Sequence, residues 1–253
     1  MPPRSILITG ASSGIGAGLA LHYAAPGIRL ALSGRDAGRL EAVAAACRAK
    51  GAEVSAVTVD VADRVAMAAW IEAEDRAAPL DLVIANAGIS AQSGLGLDET
   101  AERIREVFAV NLDGVVNTAY PAFHRMAERG RGQVALMASL VAFFGMPDTA
   151  AYSASKAAVK SLGESWRGSL ASHGIRVSVI CPGFVESRIT DRNKFPMPFL
   201  MDAGRAAAII AKGLGQDKAM IAFPWPMAFA CRLLECLPAG LSVWLLRKLA
   251  RKG

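Results

Sequence analysis

The chain is predicted to fold as one α/β domain, a doubly wound parallel sheet of about seven strands with helices on both faces. Short aliphatic runs alternate with longer helical stretches along residues 5–223. A length of 253 residues, with 53% hydrophobic and 20% charged residues, supplies enough apolar material for a large core. Because no repeat or linker divides the chain, we expect a single Rossmann-type domain over residues 1–223, followed by a C-terminal helical extension over 224–253.

All but the last of the predicted strands are runs rich in Val, Ile, Leu or Ala that end near a Gly, Asn, Asp or Ser, as expected for strands buried on both faces. The strands are predicted over residues 5–9, 29–33, 54–59, 80–86, 133–137, 175–180 and 220–223. Helices are predicted between them, over residues 15–25, 36–50, 63–77, 100–128, 151–172 and 202–214. Residues 186–200 interrupt this alternation with two prolines and clustered Phe and Met, and we predict a lid over 186–214.

The charge and composition exclude several classes of protein. The net charge is +6, but residues 247–253 hold four basic residues and no acidic one, so subtracting those four leaves +2 for the rest. No nucleic-acid partner is therefore expected. The four cysteines and three histidines lack metal-ligand spacing, so no metal site is expected. Only four residues precede the first apolar run, too few for a signal peptide, and we expect a cytoplasmic protein with membrane association left open.

A glycine-rich turn, Thr9-Gly-Ala-Ser-Ser-Gly-Ile-Gly16, follows the first strand. Glycines here allow a tight turn and let phosphate oxygens approach the N–H groups at a helix N-terminus. The spacing differs from the common G-x-G-x-x-G pattern, so a purely structural turn is the alternative. The candidate phosphate-binding residues are Gly10, Ser12, Ser13, Gly14, Ile15 and Gly16.

Tyr152 and Lys156 lie four residues apart in a predicted helix, which places them on one face. An ammonium group near a phenol favours the phenolate, so we expect Lys156 to lower the pKa of Tyr152 from its ordinary value of about 10. The pair predicts a catalytic acid/base, with chance spacing as the alternative.

These motifs resemble the short-chain dehydrogenase/reductase family over residues 5 to about 223. The residues that carry the resemblance, in the order of the family's pattern, are T-G-x-x-x-G-I-G, Asp60, Asn86-Ala-Gly88, Asn111, Ser139, Tyr152, Lys156 and Pro182-Gly183. The resemblance implies a nicotinamide cofactor and hydride transfer between a carbonyl and an alcohol. It also implies a homodimer or homotetramer, often formed through the helices that carry Tyr152 and Asn111.

The resemblance assigns roles to the catalytic set. Tyr152 would exchange a proton with the substrate oxygen, to which Ser139 would donate a hydrogen bond. Lys156 would lower the pKa of Tyr152 and bind the nicotinamide ribose. Asn111 would hold a water that links Lys156 to solvent, whereas without the resemblance a helix-surface amide is the simpler interpretation.

A cofactor site along the carboxyl ends of the strands is implied in the same way. Asp60 and the Val61 backbone would bind adenine, with a helix N-cap as the alternative for Asp60. The remaining implied contacts are Asn86, Ala87, Gly88, Tyr152, Lys156, Pro182, Gly183, Val185 and Ser187. The chain departs from the family's pattern at Ala85, which replaces the first Asn of N-N-A-G, and at Ser187, which replaces a Thr.

The end of the second strand, Ser33-Gly-Arg-Asp36, bears on the choice of cofactor. A carboxylate at Gly34 would bind both hydroxyls of the adenine ribose and repel a 2′-phosphate. Arg35 and Ser33 instead offer donors to that phosphate, while Asp36 complicates the local field. We expect NADP(H) to be preferred, with NAD(H) as the alternative.

Apolar residues near the predicted site indicate a lipophilic ketone, aldehyde or alcohol as substrate, with core packing as the alternative for about half of them. They are Leu140, Val141, Phe143, Phe144, Met146, Pro147, Phe195, Met197, Phe199 and Leu200, with Arg188 and Arg192 available to bind a substrate carboxylate. A non-catalytic NADP(H)-sensing or interaction protein on the same fold is the alternative function.

The C-terminal extension is apolar and then basic. Pro238 and Gly240 are expected to divide residues 225–253 into two short helices. These helices either pack against protein, including a partner subunit, or lie in a membrane interface with the basic residues at anionic lipid.

Overall fold

The computed structural model describes residues 2–90, 99–147, 149–190 and 196–250, with the backbone alone at 249 and 250. Its strands are β1 (Ser5–Ile8), β2 (Arg29–Gly34), β3 (Glu53–Thr58), β4 (Leu82–Ala85), β5 (Gly132–Met137), β6 (Ile175–Pro182) and β7 (Met220–Phe223). They form one sheet in the order β3-β2-β1-β4-β5-β6-β7, and every pairing is parallel. The chain reverses direction of winding between β1 and β4, which confirms the predicted Rossmann-type fold.

Helices cover both faces of this sheet. They are α1 (Gly14–Tyr23), α2 (Ala37–Ala49), α3 (Arg64–Ala77), α4 (Ala101–Phe108), α5 (Gly114–Glu128), α6 (Ala150–Ser169), α7 (Ala203–Gly215), α8 (Trp225–Glu235) and α9 (Ala239–Ala250). Apolar side chains of α1, α2 and α7 form the core on one face. Those of α3, α5, α6 and α8 form the core on the other. The sheet is therefore buried on both sides, as its aliphatic strands predict.

The register of the strands brings their carboxyl ends to one edge. Ile8 pairs with Ile84, and Ala85 pairs with Leu136. On the far side, Met137 pairs with Ile180 and Pro182 with Phe223. The motifs that follow β1, β4, β5 and β6 in sequence therefore lie side by side, at the edge where ligands bind in sheets of this kind.

The predicted helix over 100–128 is not uniform. A π-helical turn, Ala109–Asp113, separates α4 from α5, and Asn111 lies within it, fully buried. A π turn adds one residue to a helical turn and is frequent at functional sites. The interpretation of Asn111 as a surface amide is therefore wrong.

We predicted a lid over residues 186–214. The second half of this range is α7, which buries Ala206, Ile210 and Leu214 in the core. The irregular part lies between β6 and α7, where Val185 forms an isolated parallel bridge with Met201. Arg192 and Phe195, predicted to belong to the lid, lie outside the described residues.

The extension consists of two helices, as predicted, but the break falls at residues 236–238 and Gly240 lies inside α9. This position is expected because proline lacks the N–H that a helix interior requires but is accepted where a helix begins. In the part of the chain that the structure describes, no helix is long and apolar enough to cross a membrane.

Candidate active site

The glycine-rich turn joins β1 to α1 and owes its shape to three glycines. Gly10 and Gly14 have φ values of +66° and +53°, in the left-handed region that other residues avoid. A Cβ atom on Gly16 would overlap the Gly10 carbonyl oxygen and come within 2.6 Å of the Asn86 amide nitrogen. The turn therefore has the tight geometry that a dinucleotide-binding loop requires.

The N-terminus of α1 opens at this turn without a side-chain cap. Ser13 occupies the N-cap position in an extended conformation, and its hydroxyl makes no capping hydrogen bond. The first N–H groups of α1, with the positive end of its dipole, are thus available to a phosphate group.

Two residues lock the ends of β1 and β4 together. The Thr9 hydroxyl accepts hydrogen bonds from the backbone N–H groups of Asn86 and Ala87, at 3.0 and 3.2 Å. The Asn86 amide in turn donates to the Thr9 and Gly10 carbonyls, at 2.9 and 3.2 Å. Ala85 lies buried within β4, so replacing the family's first Asn leaves these bonds intact.

Ser139 and Tyr152 meet at the carboxyl end of β5. Ser139 follows β5 and begins a 3-10 turn over Leu140–Phe143, while Tyr152 lies in the first turn of α6. Burial raises the pKa of the Tyr152 phenol, and a side-chain hydrogen bond with Ser139 lowers it in part. Tyr152 keeps some exposed surface.

Lys156 lies one turn further along α6 and is almost fully buried. Its ammonium donates a hydrogen bond to the Met137 carbonyl at 2.8 Å and lies 5.7 Å from the centroid of the Tyr152 ring. Burial lowers the pKa of Lys156 from 10.5 to about 8. We expected Lys156 to lower the pKa of Tyr152, but in this structure the carbonyl holds the ammonium beside the ring, and burial of the phenol dominates.

Asn111 ties three elements together from its π turn. Its side-chain oxygen accepts from the Ile89 N–H at 2.8 Å. Its nitrogen donates to the Ile89 carbonyl at 2.9 Å and to the Ser155 hydroxyl at 3.1 Å. A Cβ on Gly88 would lie 3.2 Å from the Asn111 oxygen and 3.3 Å from the Lys156 ammonium nitrogen. Gly88 therefore leaves a space bordered by both polar groups.

At the β2 end of the site, Asp36 is already engaged. Its carboxylate caps α2 by accepting from the Arg39 N–H at 2.9 Å and pairs with the Arg39 guanidinium at 2.7 Å. Arg35 is exposed and, among the described residues, forms no ion pair. A Cβ on Gly34 would lie 3.0 Å from the Ser12 hydroxyl oxygen, so Ser12 borders this corner. The Ser33 hydroxyl is fully buried, and the structure does not bring it to the surface here.

Asp60 is exposed just beyond β3. One of its carboxylate oxygens accepts from the Ala62 N–H at 3.0 Å, while the N-cap of α3 is Asp63. The N-cap interpretation of Asp60 is therefore wrong. The Val61 side chain is buried, and the Val61 carbonyl accepts a hydrogen bond from the Asn117 amide at 2.9 Å.

The segment after β6 closes the other end of the site. The Gly183 N–H donates to the Phe223 carbonyl at 2.7 Å, and the Pro182 carbonyl accepts from the Ser139 hydroxyl at 3.4 Å. Val185 is buried. A Cβ on Gly14 would lie 2.8 Å from Cβ of Ser187, so the glycine turn and the start of the lid touch.

Several residues of the site were not predicted. They are Thr9 and Ser155, described above, Glu99, whose carboxylate accepts from the Ala151 N–H at 3.3 Å, and Thr190, whose hydroxyl accepts from the Ser187 N–H at 2.8 Å. No spacing in the sequence connects Glu99 to Ala151, which lies far along the chain, whereas Thr190 and Ser187 are near neighbours in sequence. Within the described ranges, no group of side chains has the makings of a metal site.

The apolar residues that were predicted to line the substrate site are divided between the core and the surface. Leu140 and Phe143 are buried in the core, whereas Val141, Phe144, Met146 and Pro147 keep exposed surface. Phe199 and Leu200 are exposed, Met197 is half-buried and Arg188 is exposed. Core packing therefore accounts for part of the predicted lining, as expected.

The described geometry defines a nucleotide-binding α/β enzyme with a hydroxyl pair at the end of its central strands. A family model described as short chain dehydrogenase matches residues 4–195. The chain belongs to the short-chain dehydrogenase/reductase family, which confirms the resemblance, and it is an oxidoreductase acting on CH–OH or C=O groups with NAD(P).

Named relatives agree with this assignment. An uncharacterized oxidoreductase of Myxococcus xanthus is 40% identical over 239 residues, 94% of each chain. A short-chain dehydrogenase from Sphingobium yanoikuyae in complex with NADPH is 28% identical, with a TM-score of 0.80 over 94% of this chain and 97% of that one. A family member from Burkholderia phymatum in complex with NAD is 26% identical, with a TM-score of 0.84 over 92% of each chain. Similar proteins thus bind either dinucleotide.

Proposed function

We propose that this chain is an NADP(H)-dependent oxidoreductase that interconverts a lipophilic ketone or aldehyde and its alcohol by hydride transfer. The observation that carries the proposal is the buried Lys156, whose ammonium lies 5.7 Å from the centroid of the Tyr152 ring, together with the Ser139 side chain, which lowers the pKa of that phenol. A protein that only senses a nucleotide has no use for two hydroxyls directed at a common substrate oxygen.

The preference for NADP(H) rests on the corner between Ser12, Gly34 and Arg35. Gly34 carries no carboxylate to bind the ribose hydroxyls, and a side chain there would press against Ser12 at 3.0 Å. The charge of Asp36, which argued against a phosphate, is compensated by Arg39 at 2.7 Å and by the N-terminus of α2. The exposed Arg35 fork therefore supports binding of a 2′-phosphate.

The remaining cofactor contacts are proposed from position. The uncapped N-terminus of α1 with Ser12 and Ser13 would hold the pyrophosphate. The space beside Gly88 would admit the ribose, where Lys156 would donate to its hydroxyls. Asp60 and the Val61 backbone would bind adenine, and the segment from Pro182 to Ser187 would bind the carboxamide.

The proton chemistry is assigned to three side chains. When bound, the nicotinamide supplies or accepts the hydride. In the reductive direction the Tyr152 hydroxyl gives its proton to the carbonyl oxygen, and Ser139 donates a hydrogen bond to the same oxygen while negative charge develops there. Lys156, with a pKa of about 8, stays largely protonated near neutral pH and is able to pass a proton toward Tyr152. Asn111 fixes the backbone at Ile89 beside this group.

A lipophilic substrate is supported by the partly exposed apolar residues that border the hydroxyl pair. Val141 and Phe144 lie in and just after the 3-10 turn that Ser139 begins, and Met146 lies near the start of α6. Such a lining excludes water and favours apolar ligands. The homodimer or homotetramer implied by the family remains a prediction.

The alternative is a non-catalytic NADP(H)-sensing or interaction protein. Assaying oxidation of NADPH across a panel of hydrophobic ketones and aldehydes separates the two, with Tyr152→Phe as the variant. We expect turnover by the wild-type protein, loss of at least about a thousandfold in kcat for the variant, and little change in NADPH affinity. Tight NADPH binding without turnover on any compound would favour the sensing protein.

A further inference from the structure

The two C-terminal helices leave a large part of their apolar surface uncovered. One face of α8 packs in the core through Ala228 and Cys231. The opposite face carries Trp225, Phe229 and Leu233 at intervals of four residues, all exposed, with Trp225 at 78%. In a helix this spacing places the three side chains in one stripe. Packing against the domain therefore covers only one face of α8.

The second helix also exposes apolar side chains. Leu241, Val243 and Trp244 of α9 are exposed, with Trp244 at 51%, whereas Leu246 is buried. The Lys248 ammonium lies 3.8 Å from the centroid of the Trp244 ring. An aromatic ring paired with a cation is suited to a membrane interface, where one end is apolar and the other contacts headgroups.

The C-terminal extension carries mostly positive charge. Residues 224–253 contain five basic residues and a single acidic one, Glu235. Glu235 is paired with Lys160 of α6 at 3.4 Å, so it offsets little of this charge. Arg232, Arg247 and Lys248 are exposed, while Arg251 and Lys252 lie outside the described residues. The exposed apolar stripe is therefore accompanied by net positive charge.

We propose that the exposed faces of α8 and α9 form a peripheral binding surface for an anionic lipid bilayer. Both helices are too short to span a bilayer, but amphipathic helices with Trp, Phe and Leu on one side and basic residues beside them lie in its interface. A second copy of this chain is a poorer occupant, because a twofold interface would place the same basic residues near one another. Anionic headgroups instead complement them.

The surface lies next to the candidate active site. A Cβ on Gly183 would lie 3.0 Å from Pro224 and 3.3 Å from the Met227 sulfur. The inner side of α8 therefore borders the segment after β6, and its outer side carries the exposed stripe. A bilayer against α8 would be about one helix diameter, roughly 10 Å, from the site.

The test is sedimentation of the full-length protein with lipid vesicles. One set consists of phosphatidylcholine, and the other of phosphatidylcholine and phosphatidylglycerol in equal amounts. We expect the protein to bind the mixed vesicles, and the triple variant Trp225→Ser, Phe229→Ser, Trp244→Ser to bind at least about tenfold more weakly. The double variant Arg247→Gln, Lys248→Gln should lose several-fold on mixed vesicles and little on neutral ones.

The matched control replaces exposed apolar residues elsewhere on the surface. Val65 and Tyr120, at 73% and 56% exposure, lie on α3 and α5. The variant Val65→Ser, Tyr120→Ser should sediment like the wild type, and circular dichroism should show all variants folded. Absence of binding to both vesicles, or equal loss in the control, would overturn the proposal. A triple variant that binds vesicles like the wild type and differs only in its oligomeric state would also overturn the proposal. Because the readout is binding, it does not depend on turnover.

Discussion

The Glu99 carboxylate accepts a hydrogen bond from the Ala151 N–H, which lies 3.3 Å from each of its oxygens, one residue before Tyr152. The N-cap residue of α6, Thr149, makes no capping hydrogen bond with its own side chain. Glu99 thus supplies the cap from outside the helix, and its negative charge lies at the positive end of the helix dipole. We conclude that Glu99 is a positioning residue for the turn that carries Tyr152.

Replacing Glu99 should affect both stability and turnover. We expect Glu99→Ala to lower the free energy of unfolding by about 1 kcal/mol, because an N–H at the helix terminus loses its partner. kcat should fall several-fold with little change in KM for NADPH, since the first turn of α6 loosens. Glu99→Gln retains the accepting oxygen and should restore most of kcat. Urea unfolding and steady-state kinetics measure both effects.

The control for Glu99 is Glu102→Ala, which removes an exposed carboxylate whose partner is Arg105 at 3.7 Å. It should change neither quantity measurably. Equal loss of kcat in the Gln and Ala variants would contradict the capping role.

Lys156 should make stability depend on pH. Its pKa in the folded protein, about 8, lies below the 10.5 of an unperturbed lysine, so the unfolded chain binds more protons between these values. Burying the charged form costs on the order of 3 kcal/mol, a cost fully present below about pH 8 and relieved as pH rises toward 10.5. Relative to Lys156→Met, the wild-type protein should therefore gain stability through this window.

The measurement is urea unfolding of both proteins, without added nucleotide, at about pH 7 and about pH 9.5. At each pH, the free energy of unfolding of Lys156→Met is subtracted from that of the wild type. This difference cancels the titration of groups that both proteins share, such as Tyr23, whose pKa burial raises to about 12. A difference that does not change with pH would show that the ammonium is not desolvated in the folded protein.

Arg35 should determine which dinucleotide is preferred. Removing the guanidinium by Arg35→Ala should lower kcat/KM for NADPH about 10- to 100-fold and leave kcat/KM for NADH nearly unchanged, because the lost bond is charge-assisted. Kinetics with the two cofactors provide the ratio. The control Arg48→Ala removes an exposed arginine that lies in α2 and pairs with Glu41 at 2.6 Å, and it should leave the NADPH-to-NADH ratio unchanged. A wild-type preference for NADH would refute the assignment.

Two glycine-to-alanine changes should act in opposite directions. Gly16→Ala forces a Cβ onto the Gly10 carbonyl and should cost more than about 2 kcal/mol, with loss of nucleotide binding. Gly38, in the first turn of α2, has nothing closer than 3.7 Å to such a Cβ. Gly38→Ala should be neutral or stabilise by up to about 1 kcal/mol. Thermal unfolding with and without NADPH tests both, and an unaffected Gly16→Ala protein would contradict the tight turn.

The sequence predicted the layout of the site because the motifs lie directly after the predicted strands. Parallel strands in register bring their carboxyl ends together, so Ser139 after β5 and Asn86 after β4 were expected at one edge without any knowledge of distances. Spacing also placed Tyr152 and Lys156 on one helix face. The sequence did not predict the direction of the pKa shift of Tyr152, since that pKa depends on burial and on the Ser139 side chain.

Local periodicity and motif order along the chain are enough to predict the fold class, the order of the elements and the residue types that gather at the sheet edge. The three-dimensional structure was needed to find which polar groups are paired across loops, as with Glu99 and Ala151, and which apolar side chains of α8 and α9 remain uncovered. Both depend on contacts between segments distant in sequence, and no local pattern encodes them.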